Sequence, residues 1–239
     1  MFFSMDFFSS FISKHPLMLL AIALMFMAII IFFSLFYHAA RKKELRKFAR
    51  RYGWKFLESW KTPEELFEQT GFDFFKDKTS ANVSNFIIGI ENSYSKIEFF
   101  DYSYEIYEPF YENEADKYRR QYFSCALILL NEGRLPAFRM EPETLLTRLG
   151  EKTGLQDIDF DEAPDFSDNY RLEGDDIAEV RKFFNRTVLY AFERQKGLRV
   201  YAKDRKLLII NQQVGTGKIY YFLEKARDIA STLGAEAKK

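Results

Sequence analysis

Val214-Gly215-Thr216-Gly217-Lys218 is the stretch of this chain that comes nearest to a chemical motif. A glycine-rich loop ending in Lys cradles phosphate oxygens with its backbone N–H groups, but it needs an earlier Gly where this chain has Gln212. The stretch also falls between a late hairpin and the last helix, so it reads as a loop leading into a helix cap. Asp157, Asp159, Asp161 and Glu162 offer oxygen ligands of the kind calcium takes. A calcium loop counted from Asp157 would require Gly where Glu162 stands and Glu where Asp168 stands, and the run fails that test. His15 and His38 are the only imidazoles, so no Ser-His or Cys-His nucleophile pair can form beyond residue 38. Cys125 is the single cysteine, which excludes an intramolecular disulfide and a Cys-based zinc cluster. Carboxylate pairs are so abundant that they discriminate nothing. No catalytic, cofactor-binding or metal-binding residue is assigned, and no cofactor is expected.

The organisation of the chain is more informative. Its 239 residues carry 35 basic and 35 acidic side chains, yet the charges are not mixed evenly. Nine Lys/Arg stand against Asp6 and Glu44 in residues 1–55, leaving an acidic remainder. Leu17 to Tyr37 is uncharged, and as a helix it would extend roughly 31 Å, close to the hydrocarbon thickness of a bilayer. Pro16 suits the first helical position. The apolar run is too long for a secretory signal, and the segment before it has little positive charge. We therefore expect a short segment over 1–16, a transmembrane helix over 17–37, a basic juxtamembrane helix over 38–53, a cytoplasmic domain over 54–235 and a tail over 236–239.

Seven basic residues follow the span: Arg41, Lys42, Lys43, Arg46, Lys47, Arg50 and Arg51, against Lys14 alone on the other side. The positive-inside rule then puts the N-terminus outside and the body in the cytoplasm. The same seven residues are candidates for contact with anionic lipid, each contributing about 1 kcal/mol near a charged surface. Leu45, Phe48, Ala49 and Tyr52 keep a helical spacing, so the helix should run to Tyr52 and stop at Gly53.

Within the body, Thr62-Pro63-Glu64-Glu65 predicts a capped helix ending at Gly71. Residues 85–91 and 96–106 read as a hairpin turning at Asn92-Ser93. An acidic loop follows to Lys117, and then a central strand over 120–131. Pro142-Glu143 should open a helix through Leu149. Asp157 to Asp161 alternates like a half-buried strand, and 167–172 reads as another. Asp176 should cap a helix that continues through Phe192. A hairpin around Lys203-Asp204-Arg205 and a final helix capped by Thr216 and ended by Gly234 complete the pattern. Strands and helices in this arrangement predict an α+β body: an antiparallel sheet packed with helices, behind one N-terminal transmembrane helix.

Phe100-Asp101-Tyr102, Leu135-Pro136-Ala137-Phe138, Pro142-Glu143, Asp157-Ile158-Asp159-Phe160, Phe166-Ser167, Tyr170, Leu172, Gly174 and Arg181 occur in order. Together they resemble a family of bacterial proteins that join a short membrane segment to one cytoplasmic domain and have no established activity. The resemblance implies an inner-membrane location and a structural signature, of which Asp101, Tyr102, Pro136, Phe138, Asp157, Asp159, Tyr170 and Arg181 are the chief members. The polar members are expected to be paired under cover, with Arg181 bonded to a carboxylate or carbonyl of the Asp157–Phe160 or Phe100–Tyr102 segment.

Nucleic acid is not an expected partner, because the aromatic-rich stretch at 99–111 is acidic. The favoured function is an interaction or scaffold module at the inner membrane, with the membrane itself and an unidentified protein as partners. A module sensing a lipid or small ligand, or an enzyme using carboxylates without His or metal, stands as the alternative.

Overall fold

The computed structural model describes residues 16–91, 94–107, 118–143 and 157–238. The chain divides into two compact units, Met1–Glu44 and Leu45–Lys239. Most of helix α1 (Pro16–Arg51) belongs to the first. The described side chains from Leu17 to His38 are all exposed. An uncharged helix that is apolar on every side and has no protein cover suits lipid contact. Among the described residues it is the one helix long and apolar enough to cross a membrane.

The second unit is built on one sheet of eight strands. They are β1 (Lys55–Leu57), β2 (Thr79–Glu91), β3 (Tyr94–Tyr107), β4 (Tyr118–Leu130), β5 (Leu135–Pro142), β6 (Tyr170–Gly174), β7 (Arg199–Asp204) and β8 (Lys206–Gln212). Their spatial order is β1-β2-β3-β4-β8-β7-β5-β6. Every pairing is antiparallel. Alternation along each strand sends successive side chains to opposite faces, and two separate apolar clusters result.

On the inner face lie Ile97 and Phe99 of β3, Ala126 and Ile128 of β4, Leu207 and Ile209 of β8, and Phe138 and Met140 of β5. Helices α3 (Pro164–Asn169), α4 (Ile177–Phe183), α5 (Arg186–Glu193) and α6 (Ile219–Glu236) contribute the opposing side chains, among them Phe166, Val180, Phe192 and Leu223. Leu45 and Ala49, from the last turns of α1, join the same cluster. The outer face is covered over β2, β3 and β4 by α2 (Pro63–Thr70) and a 3-10 turn (Asp73–Phe75). Here Leu66, Phe74 and Phe75 meet Phe86, Phe100 and Tyr102. Cys125 is buried in this second cluster.

The α+β architecture predicted from sequence is the one observed. The helix start at Thr62 is also present: Glu65 N donates to Thr62 Oγ1 (3.2 Å) and Thr62 N to Glu65 Oε2 (2.7 Å), closing a reciprocal capping box. Gly71 ends that helix at φ +71°.

Several local expectations are corrected. The compact body begins at Leu45 rather than residue 54, because Leu45 and Ala49 are core residues. β2 starts at Thr79, six residues before the predicted edge, and irregular pairing between Thr79 and Asn82 and again between Ser84 and Ile87 hides its period. Pro142 ends β5 instead of opening a helix, since Leu135–Pro142 pairs with β6 and β7. The rest of that expected helix, the Asn92-Ser93 turn and most of the acidic loop lie outside the described residues. Residues 157–160 form no strand, although Ile158 and Phe160 are buried and Asp159 is exposed, as an alternating segment would have it. Leu172 anchors their start, accepting from Ile158 N (2.8 Å) and donating to Asp157 Oδ1 (2.9 Å), and Ser167 Oγ accepts from Phe160 N (2.9 Å). Residues 167–169 belong to α3, and the strand begins at Tyr170. The helix from Asp176 is broken into α4 and α5, because Asn185 recaps the chain by accepting from Thr187 N and Val188 N. Thr216 opens a 3-10 turn, not the last helix, and α6 continues past Gly234 to Glu236. Ala237 O then accepts from Arg134 N (3.2 Å), so the end of the chain is tied to the β4–β5 turn.

Candidate ligand groove on the outer face of the sheet

α2 and the 3-10 turn are too short to cover the whole outer face. Over β5, β6 and β7 that face carries polar side chains. In β5, Arg139 and Glu141 alternate with the buried Phe138 and Met140; in β6, Arg171 and Glu173 alternate with Tyr170 and Leu172; in β7, Arg199 and Tyr201 flank the buried Val200. The register brings them together. Arg139 lies opposite Glu173, Glu141 opposite Arg171, and Arg139 also opposite Tyr201. Directly opposed residues of opposite charge stabilise an antiparallel pair.

Glu173 is buried, receives a hydrogen bond from Arg139 and forms an ion pair with Arg171 at 2.7 Å. The Tyr201 hydroxyl donates to Glu141 Oε1. Burial pushes the Tyr201 hydroxyl far above the ordinary tyrosine range, and the neighbouring Glu141 carboxylate adds to this. Burial opposes the charge on Arg139, but Glu173 outweighs it and tightens the hold on that proton.

Arg199 and Lys78 are held differently. The Arg199 guanidinium sits over the Phe123 ring at 5.5 Å, and its charge acts on the Tyr104 hydroxyl. Burial pushes the Tyr104 hydroxyl up against the pull of Arg199. Lys78 Nζ stands 5.4 Å from the centre of the Tyr104 ring. Two adjoining cavities open here. One, of about 400 Å³, lies over the charged network and is lined by four cations and three acids. The other, of about 600 Å³, shares Tyr104, Ile106, Pro142 and Arg199 with it and continues toward Gln121 and Ile210.

The tyrosine hydroxyls are kept protonated, and Glu173 and Glu141 are engaged by Arg139, Arg171 and Tyr201. Among the described residues no set of His, Cys, Asp or Glu is placed to hold a metal ion.

The residues singled out from sequence fall elsewhere. Of the basic run, Lys43, Arg46, Lys47, Arg50 and Arg51 are exposed, Lys42 is half-buried and Arg41 is buried. Arg46 pairs with Glu58 and lies over the Phe56 ring at 5.3 Å. Of the structural signature, Pro136 and Phe138 are buried, and Phe138 packs edge-on against Phe184 with centroids 4.9 Å apart. Tyr170 is buried and donates to the Gln195 carbonyl, and burial pushes its hydroxyl up to about 12. Asp101 is buried and accepts from Asn85 Nδ2 at 2.9 Å. Tyr102 is buried, with no hydrogen-bond partner for its hydroxyl. Asp157 is half-buried, and burial raises its carboxyl. Arg181 donates to the Asp159 carbonyl at 2.7 Å and lies over the Phe160 ring at 5.3 Å, but its side chain is exposed.

The signature is thus split between the two faces, and its second half lines the inner core: Phe138, Phe160, Phe166 and Tyr170 form a ring cluster with Phe184 and Phe192, which lie outside the signature. None of its chief members lines the groove, but Pro142 does. The groove residues were missed because their signal is a pattern: charged residues two apart in 139–141 and 171–173, each framed by apolar neighbours. Reading 135–142 as a strand would have exposed it.

No family model matches the chain, and no curated protein does. Among solved structures, the mycobacterial trehalose monomycolate transport factor A, TtfA, shares the fold, with a TM-score of 0.54 over 81% of this chain and 94% of that one. The two sequences are 8% identical over the match, so the likeness is one of fold.

Proposed function

We propose that this chain is a single-pass, membrane-anchored interaction module of a bacterial inner membrane, with its N-terminus outside and its α+β body in the cytoplasm, where it assists a membrane-embedded partner. The observation that carries the reading is the join of α1, apolar on all sides over Leu17–Tyr37, to a folded body whose outer groove is built for binding. The exposed basic residues that follow the span favour the inward orientation. The shared fold of a transport factor supports an accessory role beside a membrane process.

Reporter fusions after Lys239 test the orientation. A cytoplasm-dependent reporter should be active and a periplasm-dependent one silent; the opposite pattern overturns the reading. Crosslinking of the full-length protein in its own membranes, followed by purification, should then return a reproducible integral-membrane partner.

A further inference from the structure

Arg199 is half-buried, its guanidinium lies over the face of Phe123 at 5.5 Å, and it lines the same cavity as Tyr104. No acidic side chain forms an ion pair with it among the described residues, whereas Arg139 and Arg171 share Glu173. The 600 Å³ cavity it enters has no carboxylate among its lining residues. The walls there are Tyr104, Ile106, Phe123, Pro142 and Ile210, and the amides of Gln121 and Gln212 stand at its edges. Lys78, 5.4 Å from the centre of the Tyr104 ring, likewise makes no ion pair among the described residues. A desolvated cation without a counter-charge is unfavourable unless something supplies one. Apolar walls around one oriented charge and a few amides are the usual makeup of a small-molecule site, and the volume lies within the usual range for such sites.

We infer that the cavity between β4, β7 and β8 binds a small organic anion, with a carboxylate or phosphate head held by Arg199 and an aromatic or short apolar body lying against Phe123, Ile106 and Ile210. The guanidinium offers a planar fork to either head group. Its place over the Phe123 ring holds the fork toward the cavity, which lowers the ordering cost of binding. Lys78 adds positive potential from the neighbouring cavity. The body outside this groove is acidic overall, so attraction of an anion depends on these two cations and not on net charge. The inference goes beyond the interaction role above, since a scaffold can hold a protein partner and still carry a ligand.

The test uses the full-length chain in zwitterionic lipid nanodiscs, with binding read by saturation-transfer NMR. The probes are 4-propylbenzoate, phenyl phosphate, inorganic phosphate and the uncharged 4-propylbenzamide. The first two should bind, and inorganic phosphate and the amide should bind at least tenfold more weakly. Arg199→Gln should weaken the organic anions at least tenfold and Lys78→Gln about threefold, while Arg205→Gln, on the remote β7–β8 turn, should change nothing. Should Arg199→Gln fail to fold, Gln212→Trp, which fills the cavity from an exposed rim position, must abolish binding with the melt unchanged. Equal binding of benzoate and benzamide, unchanged affinity in Arg199→Gln or Gln212→Trp, or no binding of either organic anion overturns the inference. So does binding that appears only when the discs contain phosphatidylglycerol, which would assign the cations to a lipid headgroup. None of these outcomes bears on the topology of the anchor.

Discussion

The inner and outer faces of the one sheet are made by the same strands, yet they differ in kind. Helices α3 to α6 and the end of α1 close the inner face, and its buried residues are aliphatic and aromatic almost throughout. Among the described residues the outer face has α2 and the 3-10 turn to cover it; they lie over β2–β4 and reach as far as Tyr201 of β7, whose ring Phe74 meets at 5.9 Å. Where cover stops, Arg139, Glu141, Arg171, Glu173 and Arg199 begin. The contrast shows how a strand pattern can specify cover on one side and a wet, charged surface on the other. Phe138 and Met140 serve the core through the same eight residues that supply Arg139 and Glu141 to the groove.

If the inner face is the stability core, the largest loss should come from its aromatic centre. Phe184 is buried, stacks on Phe192 (5.9 Å) and meets Phe138, Phe160 and Phe166. Phe184→Ala should destabilise the body by about 3–5 kcal/mol, read as a lowered thermal midpoint by circular dichroism; a loss below about 1 kcal/mol would mean the cluster re-forms around the gap.

A smaller but still large loss is expected on the outer face at Glu173. Glu173→Gln should leave Arg139 and Arg171 without their shared charge and cost about 2–3 kcal/mol. A wild-type melt would show that water already screens the network and that the outer face is as loose as ordinary surface.

Arg181 sharpens the contrast from the exposed side. Its bond to the Asp159 carbonyl and its place over Phe160 are solvated, so Arg181→Ala should cost only about 0.5–1 kcal/mol. A loss as large as that of Phe184→Ala would place the residue inside the core in solution.

The smallest effect belongs to Asp157. Burial raises its carboxyl above the ordinary range, so between its unfolded and folded pKa the native state holds more proton than the unfolded one. The contribution of this group to stability therefore grows as pH falls through that window and diminishes as pH rises through it. Asp157→Asn, which keeps an acceptor for Leu172 N, should change the midpoint at pH 7 by less than about 1 kcal/mol. It should also remove part of any gain on acidification, as successive melts between pH 7 and pH 4 would show.

Much of this fold was legible in the sequence because the signals were local. The capping box at Thr62, the uncharged run to Tyr37, the stop at Gly53 (φ +67°) and the hairpin around Asp204 (φ +55°) depend on neighbours a few residues apart. What failed depended on distant pairing. Asn85, at φ +58°, interrupts β2 because its N–H bonds to the Glu58 carbonyl (3.0 Å), which no periodicity reveals. Residues 157–160 have the burial pattern of a strand without a ladder, because the Leu172 backbone and the side chains of Ser167 and Arg181 hold them in place of a neighbouring strand. The groove was hidden for the same reason: Arg139, Arg171 and Arg199 come from three separate segments, and only the sheet order makes them neighbours. The signature residues, read as one group, turn out to serve two different clusters.

Gly89 has a further consequence. A Cβ there would lie 2.4 Å from Trp54 Cε2, so the indole rests in a slot that only glycine leaves open. Arg227 stands over the same ring at 5.4 Å and Phe48 meets it at 6.0 Å. The other tryptophan, Trp60, is about half exposed and only six residues away. All the indole emission of this protein therefore originates within one short stretch beside β2. Trp54, in contact with a guanidinium and two aromatic rings, is the lamp that reports that seam, and Trp60 supplies a solvent-exposed background. Changes over β5, β6 and β7 will be optically silent in the indole band, and a fluorescence melt will follow the seam alone.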